Sequence, residues 1–159
     1  MVGTLRICAV LALISNCVKS DCMDFVYCIT PFVAWFFTGI TKFIINSIRE
    51  GQFAFKNIGY GGFPSNHASI MTSMTSLIGF QHGISNPLFG LAITITFIVM
   101  LDANSLRQQI GKHAQTINSI VHTAKLRERI GHTKLELLGG VIVGGVIGYL
   151  MHLIINISI

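Results

Sequence analysis

Long apolar runs, nearly empty of charge, recur along this chain and leave it little choice of solvent. They extend from about Phe25 to Ile48, Asn66 to Phe80, Leu88 to Leu101 and Glu136 to Ile157. A helix needs roughly 20 predominantly apolar residues to cross the hydrocarbon core of a bilayer. Composition agrees: 52% of the 159 residues are apolar and only 11% are charged, against about 25% charged in a soluble domain. A soluble domain of this size must cover most of its surface with polar groups, and this chain lacks them. A disordered chain is excluded for the same reason. The sequence therefore predicts an all-α integral membrane bundle with about four spanning helices plus an amphipathic interfacial helix.

Residues 23–159 read as one membrane-embedded domain, preceded by an N-terminal extension at 1–22. The extension holds Arg6, the apolar run Ile7–Ile14, then Asn16, Lys19 and Asp21. That run is too short to span. An interfacial helix, a signal-like core without a clean cleavage site and an over-extended start before Met23 all remain open. Cys8, Cys17, Cys22 and Cys28 crowd into the first 28 residues. They fit small apolar fillers rather than a disulfide framework spread through a fold.

Charge orients the chain. Lys+Arg number 11 and Asp+Glu 6, a net +5. No arginine-rich tract or interleaved aromatic platform accompanies the excess, so nucleic acid is not an expected partner. Lys42, Arg49 and Lys56 lie around the exit of the first run, and Arg107, Lys112, Lys125, Arg127, Arg129 and Lys134 between the third and fourth. The turn at Gly83–Pro87 and the C-terminus carry none. With four spans both basic connections fall on one side, which the positive-inside bias makes cytoplasmic; a bacterial cell (inner) membrane is the expected location. In the stretch 102–135, Leu106, Ile110, Ala114, Ile117, Val121 and Ala124 recur at steps of three and four. That period predicts an amphipathic helix at about 104–128, lying on or packed under the membrane face. The Ser, Thr and Met of the second run suit helix contact better than lipid, and Gly140, Gly144 and Gly148 share one helix face. Such a face lets two helix backbones approach closely, here as a candidate homo-oligomer contact.

Residues with chemistry gather on the basic side. Lys42 and Arg49 stand two helical turns apart. Gly61-Gly62-Phe63-Pro64-Ser65-Asn66-His67 opens the second run. A glycine loop entering a helix N-terminus offers free N–H groups and the positive dipole end to a phosphate. Gly131-His132 opens the fourth run, with Glu136 four residues on. That spacing sets a carboxylate beside the imidazole, where it holds one tautomer and stabilises a ring cation. Asp102 and Arg107 flank the exit of the third run. Each feature has a plain alternative: interfacial anchors, a turn before a helix, a common helix pair. Their convergence on one face favours a site, since ionisable clusters at the membrane are functional by default. A metal centre from His67, His132, Asp102 and Glu136 has no ligand-spacing motif behind it, so no metal and no cofactor are expected. His113 and His122 read as surface or packing residues, and His82 and His152 fall on the opposite side.

Lys42–x6–Arg49, Pro64-Ser65-Asn66-His67 and His132-x-x-x-Glu136, in this order, resemble the three-part signature of the type-2 phosphatidic acid phosphatase and vanadium-dependent haloperoxidase superfamily. Gly61 to Ala68, Asp102-Ala103 with Arg107 and Gly111, and Gly131-His132 with Glu136 and Gly140 resemble its divergent branch, over about residues 25–157. Within the pattern, Asn66 stands where Gly is usual and Glu136 where Asp is usual. The resemblance implies that His132 is the nucleophile, Glu136 orients it and His67 is the general acid. It implies that Lys42, Arg49, Ser65, Asn66, Arg107 and Arg127 hold phosphate oxygens, supported by Gly61, Gly62 and Asp102. The expected activity is hydrolysis of a lipid or polyprenyl (isoprenoid) phosphate monoester. A non-hydrolytic protein that binds or moves such lipids is the alternative, and a helix-packing subunit of a larger complex is a third.

Overall fold

The computed structural model describes residues 25–48, 62–121, 123, 125–128 and 130–157. Their elements are α1 (Phe25–Ile48), α2 (Asn66–His82), α3 (Pro87–Leu101), a π-helical turn at Asp102–Leu106, α4 (Arg107–Ile120) and α5 (Lys134–Ile157). No strand occurs among the described residues. In lipid the backbone must satisfy its own polar groups, and helices do so. The extension at 1–22, Arg49 and Gly61 lie outside the described residues. Cys28 is an exposed free thiol.

Local signals set the helix ends. Ser65 caps α2, its side chain accepting from the Ala68 N–H. Gly83, at φ +80°, ends α2, a backbone conformation that favours glycine. Asn86 caps α3 by accepting from the Leu88 N–H at 2.9 Å, and Pro87 fills the first turn without wasting a donor.

Among the described residues three helices are long and apolar enough to cross a membrane: Phe25–Ile48, Pro87–Ile120 and Lys134–Ile157. Their outward faces are large and apolar, including Phe32, Trp35, Leu91, Ile98 and Ile142, as a lipid solvent requires. α2, at 17 residues, is shorter and central. It packs on α5 and α3 and reaches α1, with Ser69, Ser73 and Thr75 buried.

Small residues decide the register of α2 on α5. A β-carbon at Gly140 would strike the Ser65 carbonyl, one at Gly144 the Ser69 carbonyl, and one at Gly148 the Ser73 carbonyl. Contacts advance together along both helices, so α2 and α5 run parallel. This corrects the homo-oligomer reading of the Gly140/Gly144/Gly148 face: α2 of the same chain already fills it. α1 runs antiparallel to α2, with Tyr27 Oη 2.7 Å from His82 Nε2 and Thr38 Oγ1 donating to Ser69 Oγ at 2.6 Å. α3 does likewise, since the Phe89 ring lies on Gly79 and the Thr96 and Thr75 hydroxyls meet at 2.8 Å.

That topology sorts the molecule by its ends. The end of α1, the start of α2, the end of α3 and the start of α5 come together. The apolar core of Val26, Ala34, Leu77, Ile147, Met151 and Ile155 lies toward the other end. There Phe80 packs on Tyr149 and His152, so His82 and His152 sit away from the site, as their place in the sequence indicates.

The amphipathic stretch takes a different form from the one its periodicity predicts. No loop separates it from α3: Pro87–Ile120 is one helix of 34 residues. It stops at Ile120 rather than about 128, and the chain then turns back. Leu106, Ile110 and Ile117 point outward, whereas Gly111 and Ala114 are buried. Glycine decides this, because a β-carbon at Gly111 would strike the carbonyl of Glu128 on the returning segment. Asn118 pins that segment, bonding both the N–H and the carbonyl of Leu126 at 3.0 and 2.8 Å.

Candidate active site

Four chain segments meet at the shared end. α1 brings Lys42, which is 7% exposed. An ammonium in such a place calls for a counter-charge, yet among the described residues no carboxylate lies within ion-pair distance of it. Its charge acts on Glu136, His67 and His132.

α5 brings the most ordered group. Thr133 and Glu136 form a capping box: the Thr133 N–H donates to Glu136 Oε2 at 2.9 Å, and the Glu136 N–H to Thr133 Oγ1 at 3.2 Å. The same Oε2 lies 3.2 Å from His132 Nδ1. A carboxylate only accepts, so Nδ1 carries the proton and Nε2 of the neutral ring holds the free lone pair. The side chains of His132 and Glu136 are 8% and 12% exposed. The His132 N–H donates to the Ala103 carbonyl at 2.9 Å, tying the start of α5 to the π turn.

α2 brings His67. Its ring meets His132 edge to face, with centroids 5.7 Å apart. Asn66 Oδ1 and His67 Nδ1 are buried without a hydrogen-bond partner among the described residues. Ser65 is fully buried; its hydroxyl accepts the Ala68 N–H, and its own N–H donates to the Glu136 carbonyl at 2.9 Å. It is thus a cap and a brace between α2 and α5. Gly62, at φ +148°, leads into this turn.

The π turn brings Asp102, whose Oδ2 accepts from Arg107 Nε at 3.1 Å. Both side chains are partly exposed. Arg107's charge acts on both histidines, and Asp102's on His67. Arg127 is exposed on the returning segment. Alongside His132 and Glu136 opens a cleft of 360 Å³, bordered by Lys112, Glu128, Ile130 and Thr133.

Electrostatics set the state of His132. Burial pushes its pKa below the ordinary 6.5, the bond to Glu136 and its charge raise it, and Lys42 and Arg107 lower it. The ring is neutral at neutral pH, as a nucleophile must be. A buried lysine with no carboxylate partner among the described residues, an arginine and two imidazoles in contact suit an oxyanion and the transfer of a group from it. Among the described residues no cluster of three or more His, Cys, Asp or Glu is arranged to hold a metal ion.

Two parts of this arrangement are absent from the sequence reading. Thr133 carries a visible signal, the T-x-x-E pattern ahead of an apolar run, but His132 draws attention away from it. The Ala103 carbonyl has no sequence signal, since any residue supplies one.

A family model described as "Divergent PAP2 family" matches residues 24–147, a span that includes every segment of the site. The uncharacterized membrane protein YuiD of Bacillus subtilis (strain 168) is 28% identical over 115 residues, covering 60% of this chain and 70% of that protein. No solved structure matches.

Proposed function

The chain belongs to the divergent PAP2 family, and from that premise we propose that it is a membrane phosphatase. It hydrolyses a lipid or isoprenoid phosphate monoester at the cytoplasmic face of a bacterial cell membrane. One observation carries the reading: a buried Lys42, without a carboxylate partner among the described residues, acts through its charge on a neutral His132 whose Nδ1 is held by Glu136.

The steps follow from those positions. Lys42 and Arg107 neutralise the phosphate oxygens. His132 Nε2 attacks phosphorus, a P–N bond forms and the bond to the lipid oxygen breaks. Glu136 stabilises the ring cation that results. His67, protonated, gives its proton to the departing alkoxide. Water then attacks the phosphohistidine while His67 takes up its proton; the P–N bond breaks, inorganic phosphate leaves and His132 returns to neutral. Catalysis here is positioning and charge neutralisation. The rings of His67 and His132 touch, so a phosphoryl group enters by turning one aside. His132 is fixed through Nδ1 and its N–H, whereas His67 Nδ1 has no partner among the described residues, so His67 is the ring that moves.

That same ring contact favours a second reading, a protein that binds or translocates lipid phosphates without cleaving them. Phosphate release from a panel of lipid and polyprenyl phosphates separates the two, comparing detergent-purified wild type with His132→Ala. Release by wild type that vanishes in the variant is the expected result. Binding of the same lipids without release by folded wild type would overturn the phosphatase reading in favour of the binder.

A further inference from the structure

Gln108 stands on the first turn of α4, just past the π turn. Its Nε2 donates to the His132 carbonyl at 3.2 Å and to Asn104 Oδ1 at 3.1 Å. Together with the bond from the His132 N–H to the Ala103 carbonyl at 2.9 Å, this holds His132 from both sides of its main chain. Both holds come from one short stretch of the α3–α4 helix, some 25 residues away in sequence. In that stretch the Arg107 N–H bonds the Asp102 carbonyl five residues back, the wider π spacing that recurs at functional sites. Contact is close by construction: at Gly131, φ +101°, a β-carbon would stand 3.0 Å from both the Gln108 backbone N and its Cγ. Glycine at 131 lets the loop lie against Gln108, and the Gln108 amide then fastens the next residue.

We infer that Gln108 is a positioning residue for His132: by holding the His132 carbonyl while Ala103 holds its N–H, it sets the direction of Nε2. Its effect on turnover rests on the phosphatase reading; its effect on the His132 ring does not. Glu136 holds the ring at Nδ1 but leaves free the backbone that carries it. The Gln108 and Ala103 contacts remove that freedom, and a displacement of about 1 Å at a reacting atom costs on the order of a hundredfold in rate.

Two variants remove the amide donor: Gln108→Leu, which keeps the bulk, and Gln108→Glu, which keeps the shape. Gln115→Leu, on the same cleft, is the control. With the best substrate of the wild type, kcat is expected to fall about ten- to a hundredfold in both Gln108 variants. KM should stay within about twofold, and Gln115→Leu should match wild type. Unchanged kcat in either folded Gln108 variant, or a raised KM with kcat intact, would overturn the inference. A second readout needs no turnover. In protein labelled with 15N-histidine, the His132 signals, assigned by their loss in His132→Ala, should shift in Gln108→Leu and not in Gln115→Leu. Unmoved signals would overturn the positioning role, whereas a wild type that releases no phosphate would overturn only the phosphatase reading.

Discussion

At the scale of the residue, the chemistry turns on His132 being neutral, oriented and in the field of Lys42, which has no carboxylate partner among the described residues. The pH dependence follows with a definite sign. Burial lowers the His132 pKa below 6.5 and Glu136 raises it, so the nucleophile is lost only as pH falls below the ordinary histidine range. The acid limb of kcat/KM, where His132 takes a proton, should therefore lie below pH 6.5. Replacing Glu136 with Gln removes the raising influence. The acid limb should move to lower pH, while kcat falls because the ring cation loses its stabilising charge; a limb that moves to higher pH would contradict the assignment. Linkage gives the same window for stability. Because the folded pKa is depressed, the unfolded chain binds the proton more readily, so His132's share of stability is complete above pH 6.5 and is lost as the medium acidifies below it. Lys42 has a separate test. Lys42→Met keeps the apolar stem and removes the ammonium, and a charge-assisted hydrogen bond is worth about 1.5–3 kcal/mol. Vanadate or lipid phosphate should bind roughly ten- to a hundredfold more weakly, measured by equilibrium titration; unchanged affinity would show that Lys42 does not hold the anion.

Helix positions were the most legible part of the element scale, because hydropathy reports them directly. The runs placed at 25–48, 66–80, 88–101 and 136–157 correspond to α1, α2, α3 and α5 within a few residues. Which helix each face meets was less legible. Glycines every four residues announce a close approach but not its partner, and the partner proves to be the Ser65–Ser73 face of α2. Leu106, Ile110 and Ile117 do face outward, and what the periodicity left unread is that Gly111 marks the inner side, where the returning segment packs. The glycine packing makes a prediction one residue wide. At Gly144 a β-carbon would collide with the α2 backbone, whereas at Gly145 it would meet only Ser76 Oγ at 4.0 Å. Gly144→Ala should cost about 1–3 kcal/mol by overpacking, seen as a lower unfolding temperature in detergent, and Gly145→Ala should be neutral. Equal effects at the two positions would contradict the parallel α2–α5 register.

Across the whole molecule, a parallel α2–α5 pair with α1 and α3 antiparallel to it gathers four distant segments at one end. Lys42, Arg107 and Lys134 lie at that end too, so the positive-inside bias predicts that it faces the cytoplasm. A single cysteine at Ser119, in a chain whose native cysteines are replaced by serine, should react with a membrane-impermeant maleimide only after cells are permeabilised. Labelling of intact cells would reverse the orientation. The central claim is that this shared end transfers a phosphoryl group through His132. Its most direct test is brief incubation with a lipid phosphate carrying 32P in its phosphate group, an acid quench mild enough to spare N-phosphorylated histidine, and mass spectrometry of the chain. The account predicts a base-stable, acid-labile phosphoryl group on His132 that is absent in His132→Ala and accumulates in wild type before phosphate is released. Phosphate release without any label on His132, or label on another residue, would contradict it.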